Sequence, residues 1–241
     1  MHAGRPAVVI GGGPSAVSGL ALPLPADALV ISANGHGCRA AAAGLCRRPD
    51  YIVSIDDNLE DELRPWGVPI VSQRDYCDVQ LYRKPLYSSG QLAVWVAWLM
   101  GCAPVVPIGM DCYDPASGGT YFHDATARSP GTKQARDFHL SGWRRCRDLV
   151  ADDIVRAPTG SPLAQIFPEY VPGATVPALC STGERWRSAR GYRVRFERPH
   201  SRERGGGHHQ AGDEWMTTAK VARRLARERV AVILDGIPDG E

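Results

Sequence analysis

The chain has no uninterrupted apolar stretch near the roughly 18 residues that a membrane helix needs, so a span of that kind is excluded. It has no Cys-x-x-Cys pair, and its seven cysteines are an odd number. A zinc ribbon and a complete disulfide framework are therefore set aside, and reduced thiols in a cytoplasmic protein are expected. No lysine follows the first glycine cluster, so the phosphate-loop pattern fails. No segment recurs with a period of about 20 to 50 residues, which excludes a solenoid. Met1 to Pro6 lacks the basic and apolar regions of a secretory leader and runs into a strand-like segment, so export is not expected.

What the chain does have is the composition of a folded domain. Of 241 residues, 44% are hydrophobic and 22% charged, too apolar for a disordered segment. The length suits one α/β domain with a small appendage. The formal net charge of +2 conceals an asymmetry. Residues 1–127 carry 8 basic and 12 acidic side chains, whereas 128–241 carry 20 and 14. That balance attracts phosphate-bearing partners but falls far short of a dedicated nucleic-acid binder.

Short β-branched runs alternate with helical segments. Ala7–Ile10 reads as a buried parallel strand ending in Gly11-Gly12-Gly13-Pro14-Ser15, with Pro14 suited to a first helical position. Ala28–Ser32 is a second strand ending at Asn34, the Ala-rich stretch 39–46 a short helix, and Tyr51–Ile55 a third strand closed by Asp56-Asp57-Asn58. Val68–Val71 fits a fourth. Gln91–Met100, capped by Ser88-Ser89-Gly90 and ended by Gly101, is apolar on every side and hence a buried helix. Val105–Ile108 is a further strand, 114–132 a long loop, 133–150 a polar helix, Ile154-Val155 a short strand and Pro162–Phe167 a helix. This alternation predicts a Rossmann-like parallel sheet with helices on both faces.

The expected organisation is a nucleotide-binding domain over 1–170, a linker over 171–190 and a small α+β module over 191–241. In that module Tyr192–Phe196 and Val230–Leu234 read as strands and 217–229 as an Arg-rich helix. Its resemblance to terminal units of phage-encoded proteins is slight. Gly205–His209 reads as a flexible tip whose two histidines are solvated, with no second ligand pair for a metal.

In an open parallel sheet, ligands bind at the carboxyl ends of the strands, near the reversal of strand order. That edge is expected to collect Gly11–Ser15, Asn34, Asp56–Asn58, Ser88–Gly90 and Gly109-Met110-Asp111. Glycines let a phosphate approach the backbone, and helix N-termini offer N–H groups to anions. Gly11-x-Gly13-x-x-Ala16 formally fits a dinucleotide fingerprint, but Ser32, Asn34 and His36 stand where a nicotinamide site needs an acidic residue for the ribose.

The order of these segments, Gly-x-Gly-Pro-Ser, then Asn34, then Ser89-Gly90 before an apolar helix, then Gly109-Met110-Asp111-Cys112-Tyr113, resembles the bacterial CMP-sialic acid-dependent sialyltransferases. It is similar also to the wider group of flagellin motility accessory factors and archaeal hydroxymethylpterin diphosphokinase-like proteins. Ser161–Phe167 is similar to a late sialyltransferase segment, so the likeness covers roughly residues 6–170.

This resemblance implies a nucleotide-sugar fold that needs no metal. Gly11, Gly12, Gly13, Pro14, Ser15, Asn34, Ser88, Ser89 and Gly90 would hold cytidine and phosphate, and Gly109, Met110 and Asp111 would line the base or ribose. Tyr113 and Tyr121 would assist the departing phosphate, and His139 or His123 would deprotonate the acceptor hydroxyl. The expected function is a glycosyltransferase with a CMP-sugar donor and a hydroxyl acceptor, requiring no cofactor and compatible with a homo-oligomer. The diphosphokinase relatives imply an alternative, with ATP and Mg²⁺ held through Asp56 and Asp57. A non-catalytic phage accessory protein is a third reading.

Overall fold

The computed structural model describes residues 2–81, 86–114, 120–128, 132–150 and 154–174, with five strand segments near the C-terminus, 191–196, 200–201, 208–209, 214–218 and 231–235. Six parallel strands form the central sheet: β1 (Ala7–Ile10), β2 (Leu29–Ala33), β3 (Tyr51–Ser54), β4 (Ile70–Ser72), β5 (Val79–Gln80) and β6 (Val105–Ile108). Their spatial order is β5-β4-β3-β2-β1-β6. The chain therefore steps outward from β1 to β5 and returns to add β6 on the other side of β1, creating a switch point between β1 and β6.

The near-continuous apolar strands follow from burial on two faces. Ala7 and Val9 of β1 join Leu29, Ile31 and Val53 in one core, while Val8 and Ile10 join Val30, Val106 and Ile108 in another. On the first face lies α4 (Ser89–Leu99), with ten of its eleven residues buried, Trp95 and Trp98 among them. An apolar surface on every side lets this helix contact the sheet beneath and α5 (Lys133–Leu149) above. α5 is amphipathic: Leu140, Trp143 and Cys146 recur at helical spacing and turn inward. Gly142 brings α5 close to α4, because an added Cβ there would lie 2.5 Å from the Gln91 side chain. The opposite face carries α1 (Ala16–Leu20) and α2 (His36–Ala42), which insert Ala16 and Ala40.

Residues 154–170 complete the same core. Val155 forms a parallel bridge to Val105, and Leu163, Ile166 and Phe167 are buried with α4 and α5. The Tyr170 hydroxyl donates to the Pro23 carbonyl at 3.0 Å.

The architecture is the α/β Rossmann-like one expected, with local corrections. Helix α1 starts at Ala16, so Pro14 precedes it. Helix α2 begins at His36 and ends at Ala42, ahead of the stretch that composition selected. The expected loop 114–132 contains a hairpin of β7 (Thr120–Tyr121) and β8 (Asp124–Arg128). Pro162–Gln165 is a single 3-10 turn, capped by the Ser161 hydroxyl. A helix of acidic residues, α3 (Glu60–Leu63), and the strand β5 add to the expected elements.

Near the C-terminus, β9 (Gly191–Phe196) lies between β12 (Glu214–Thr218) and β13 (Ala231–Asp235), all antiparallel, and β10 (His200–Ser201) pairs with β11 (His208–His209). Residues 217 and 218 of the expected helix are thus strand, and 219–229 fall outside the described residues. So do 175–190 of the expected linker and Gly205–Gly207 of the expected tip. The six described cysteines are free thiols, and no described helix is long and apolar enough to cross a membrane.

Candidate functional site

At the carboxyl edge beside the β1–β6 switch point lies a cavity of about 370 Å³. Five separate strand-end and helix-start segments meet around it: Gly11–Pro14 after β1, Asn34 after β2, Ile55-Asp56 after β3, Ser88–Gly90 opening α4, and Gly109–Tyr113 after β6. Tyr121 from the hairpin and His139 and Trp143 from α5 also line it. Ser15, Asp57 and His123 are not among the lining residues.

Each segment is held by identifiable bonds. The glycine turn is tied to the loop after β6 by Gly13 N–H to the Gly109 carbonyl at 2.9 Å and Ser15 N–H to Asp111 Oδ2 at 3.1 Å. A Cβ on Gly13 would sit 1.7 Å from that carboxylate oxygen, so a glycine is required for Asp111 to reach the turn. Gly109 itself has φ +67°, and a Cβ there would meet the Gly11 carbonyl at 2.7 Å. The Ser88 hydroxyl caps α4 by accepting from Gln91 N–H at 3.3 Å. Ser89 Oγ accepts from Ile55 N–H at 3.1 Å and donates to Asp56 Oδ2 at 3.5 Å.

Asn34 is the most constrained polar group. Its backbone is left-handed, φ +50°, and its Nδ2 donates to Asp56 Oδ2 at 2.8 Å. That bond fixes the amide, leaving Oδ1 buried without a partner. Cys112 and Tyr113 are also left-handed, φ +52° and +55°. Such non-glycine conformations cost about 1 kcal/mol or more each and cluster at functional sites.

The charged residues lining the cavity are Asp56 and Asp111; no lysine or arginine is among the described residues of its wall. Asp57 diverges from Asp56 and pairs with Arg74 at 2.5 Å. The two adjacent carboxylates named for a metal therefore do not converge, since consecutive residues leaving a strand point to opposite sides.

Around the rim the aromatics interlock. The Tyr113 and His139 rings meet edge to face at 4.4 Å, and Tyr121 lies 4.8 Å from His36. Burial pushes the Tyr113 hydroxyl up to about 12, aided by Tyr121, so it remains a donor. Burial also holds His139 below the usual imidazole value, which leaves it neutral and able to accept a proton at pH 7. His123 stands behind the wall with Nε2 2.8 Å from Nδ1 of His36.

Reasoning from sequence did not single out His36, Tyr87, Thr120 or Trp143 as site residues, although all line the cavity. A signal existed for His36, two residues beyond Asn34 at the same strand end, and for Tyr87, which immediately precedes the Ser88 cap. No family model, curated protein or solved structure matches this chain.

Proposed function

We propose that this cavity binds a nucleotide-activated sugar and that the protein transfers the sugar to a hydroxyl acceptor without a metal. The observation that carries the reading is the meeting of Asn34, the start of α4, Tyr113, Tyr121 and His139 around one cavity. The unpartnered Asn34 Oδ1 suits a ribose hydroxyl or the amino group of a base. The N-terminus of α4, whose Ser88, Ser89 and Gly90 line the cavity, suits a phosphate. Two carboxylates, with no cation among the described lining residues, disfavour a di- or triphosphate and fit a donor carrying a single phosphate, the CMP-sugar class.

The acceptor hydroxyl gives its proton to the neutral ring of His139 as its oxygen bonds to the anomeric carbon. The bond from that carbon to the phosphate oxygen breaks, and the nucleoside monophosphate leaves with the electron pair. The hydroxyls of Tyr113 and Tyr121 donate hydrogen bonds to the oxygen where charge accumulates.

A second reading, an ATP- and Mg²⁺-dependent diphosphokinase, draws on Asp56 and Asp111 both lining the cavity, since carboxylates are the ligands Mg²⁺ prefers. A thermal-shift panel of CMP, CDP, UDP, ATP with Mg²⁺, and NAD separates the two. A ligand at 100 times its dissociation constant stabilises the fold by about 2.7 kcal/mol. Stabilisation by CMP that persists in EDTA is the expected result. Stabilisation by ATP alone, abolished by EDTA, transfers the site to the second reading.

A further inference from the structure

We propose that His36 is the cavity's anion-recognition group, a neutral imidazole that donates Nε2–H to a phosphate oxygen of the ligand, with its tautomer set by His123. The proposal rests on the nucleotide reading of the cavity, which it deepens.

The tautomer follows from the pair. His36 Nδ1 and His123 Nε2 are 2.8 Å apart, so one carries the proton and the other accepts it. His123 Nδ1 is buried with no partner. A proton on that nitrogen would be an orphaned buried N–H, whereas a bare lone pair there is tolerated better. The proton of neutral His123 therefore sits on Nε2 and is donated to His36 Nδ1. The proton of His36 is left on Nε2, the ring nitrogen available to a ligand.

The surroundings agree with this role. The His36 ring lies directly over Gly12, where a Cβ would come within 2.5 Å of it, so the glycine turn admits the imidazole beside the switch point. The α1 end of that turn is already occupied, because Asp111 Oδ2 takes the Ser15 N–H. A phosphate entering the cavity thus meets a ring donor rather than the first helix. Burial, with His123 and Arg39 nearby, lowers the His36 pKa to about 4, so the ring is uncharged at neutral pH. A wall whose described residues include no lysine or arginine then recognises an anion through a dipolar donor.

The test uses the full 15N-labelled chain. Two-bond proton–nitrogen spectra at pH 7 should report the Nε2–H tautomer for His36, with the resonance assigned by its loss in His36→Phe. Added inorganic phosphate or CMP should shift that Nε2–H signal. His36→Phe, which keeps the ring and removes the donor, should weaken CMP about tenfold or more relative to cytidine, whereas His36→Gln, with an amide near the Nε2 position, should recover part of the loss. An Nδ1–H tautomer, an imidazolium at pH 7, or equal losses for CMP and cytidine would each overturn the proposal. Failure of wild-type chain to bind any nucleotide would remove the proposed transferase function instead. In that case a phosphate-induced shift of His36 Nε2–H sustains the anion site, and an unmoved signal ends it.

Discussion

Asp111 Oδ2 accepts the backbone N–H of Ser15 at 3.1 Å across 96 residues of chain, joining the loop after β6 to the turn after β1. The carboxylate occupies the space that any side chain at position 13 would need. Together with the bond from Gly13 N–H to the Gly109 carbonyl, this contact ties the two sides of the switch point into one wall of the cavity.

Removal of either member should expose that dependence. Asp111→Ala leaves a helix-start N–H without its charged acceptor and should cost about 1–3 kcal/mol in urea unfolding. Gly13→Ala forces a 1.7 Å contact with the carboxylate and should cost at least as much. Because the 1.7 Å contact disappears with the carboxylate, leaving only the 2.9 Å approach to the Gly109 carbonyl, the double variant should be clearly less unstable than the two single losses combined. Strict additivity would mean that the two residues do not share this space.

Asn34 allows binding to be separated from folding. Its φ of +50° suits glycine and strains alanine, so Asn34→Gly removes the amide while keeping a permitted backbone. The variant should unfold within about 1 kcal/mol of wild type, yet lose most of the thermal stabilisation by CMP. Asn34→Ala should lose both. Full retention of CMP stabilisation in Asn34→Gly would take the orphaned Oδ1 out of the site.

The elements legible in the sequence were those whose residues carry their own reason. Ala7–Ile10 is a strand because four consecutive apolar residues must be covered on both faces, and 89–99 is a buried helix because it has no polar side. The rim was legible for the same reason, since parallel strands bring their carboxyl ends together. What escaped depends on distant partners. The hairpin at 120–128 is held where Phe122 N–H donates to the Gly12 carbonyl at 2.9 Å, a bond that no local pattern in a Gly- and Thr-rich segment announces. The His36–His123 contact spans 87 residues. Asp56 and Asp57 read as a pair in the sequence, because adjacency there looks like proximity in space. One turns to Asn34 and the other to Arg74.

The burial of His36 has a consequence for stability. Its pKa falls from 6.5 in the unfolded chain to about 4 in the fold, so below pH 6.5 the unfolded state binds a proton that the native state refuses. Stability should be level above pH 6.5 and decline as pH falls towards 4, by about 1.4 kcal/mol per pH unit and about 3 kcal/mol in all. In His36→Phe this part of the slope should vanish, leaving a shallower acid limb. Unfolding curves collected from pH 4 to pH 8 on both proteins decide it; parallel pH profiles would show that His36 titrates normally.

His139 makes the corresponding prediction for turnover. Its pKa is lowered by burial in the fold, so the neutral, proton-accepting form prevails at pH 7 and persists to somewhat lower pH. The acid limb of kcat/KM against pH, which reports the free enzyme, should therefore fall below 6.5, where an unperturbed imidazole would already be half protonated. His139→Ala should reduce kcat by about 100-fold or more, the usual contribution of a general base, while leaving the affinity for the nucleotide donor unchanged. Small amines or imidazole added to that variant should restore part of the rate, because the cavity wall then has room for an external base beside Tyr113, whose ring lies 4.4 Å from that of His139 in the native protein. An unaltered rate would assign proton removal to another group, and a raised donor KM at constant kcat would make His139 a binding residue rather than the base.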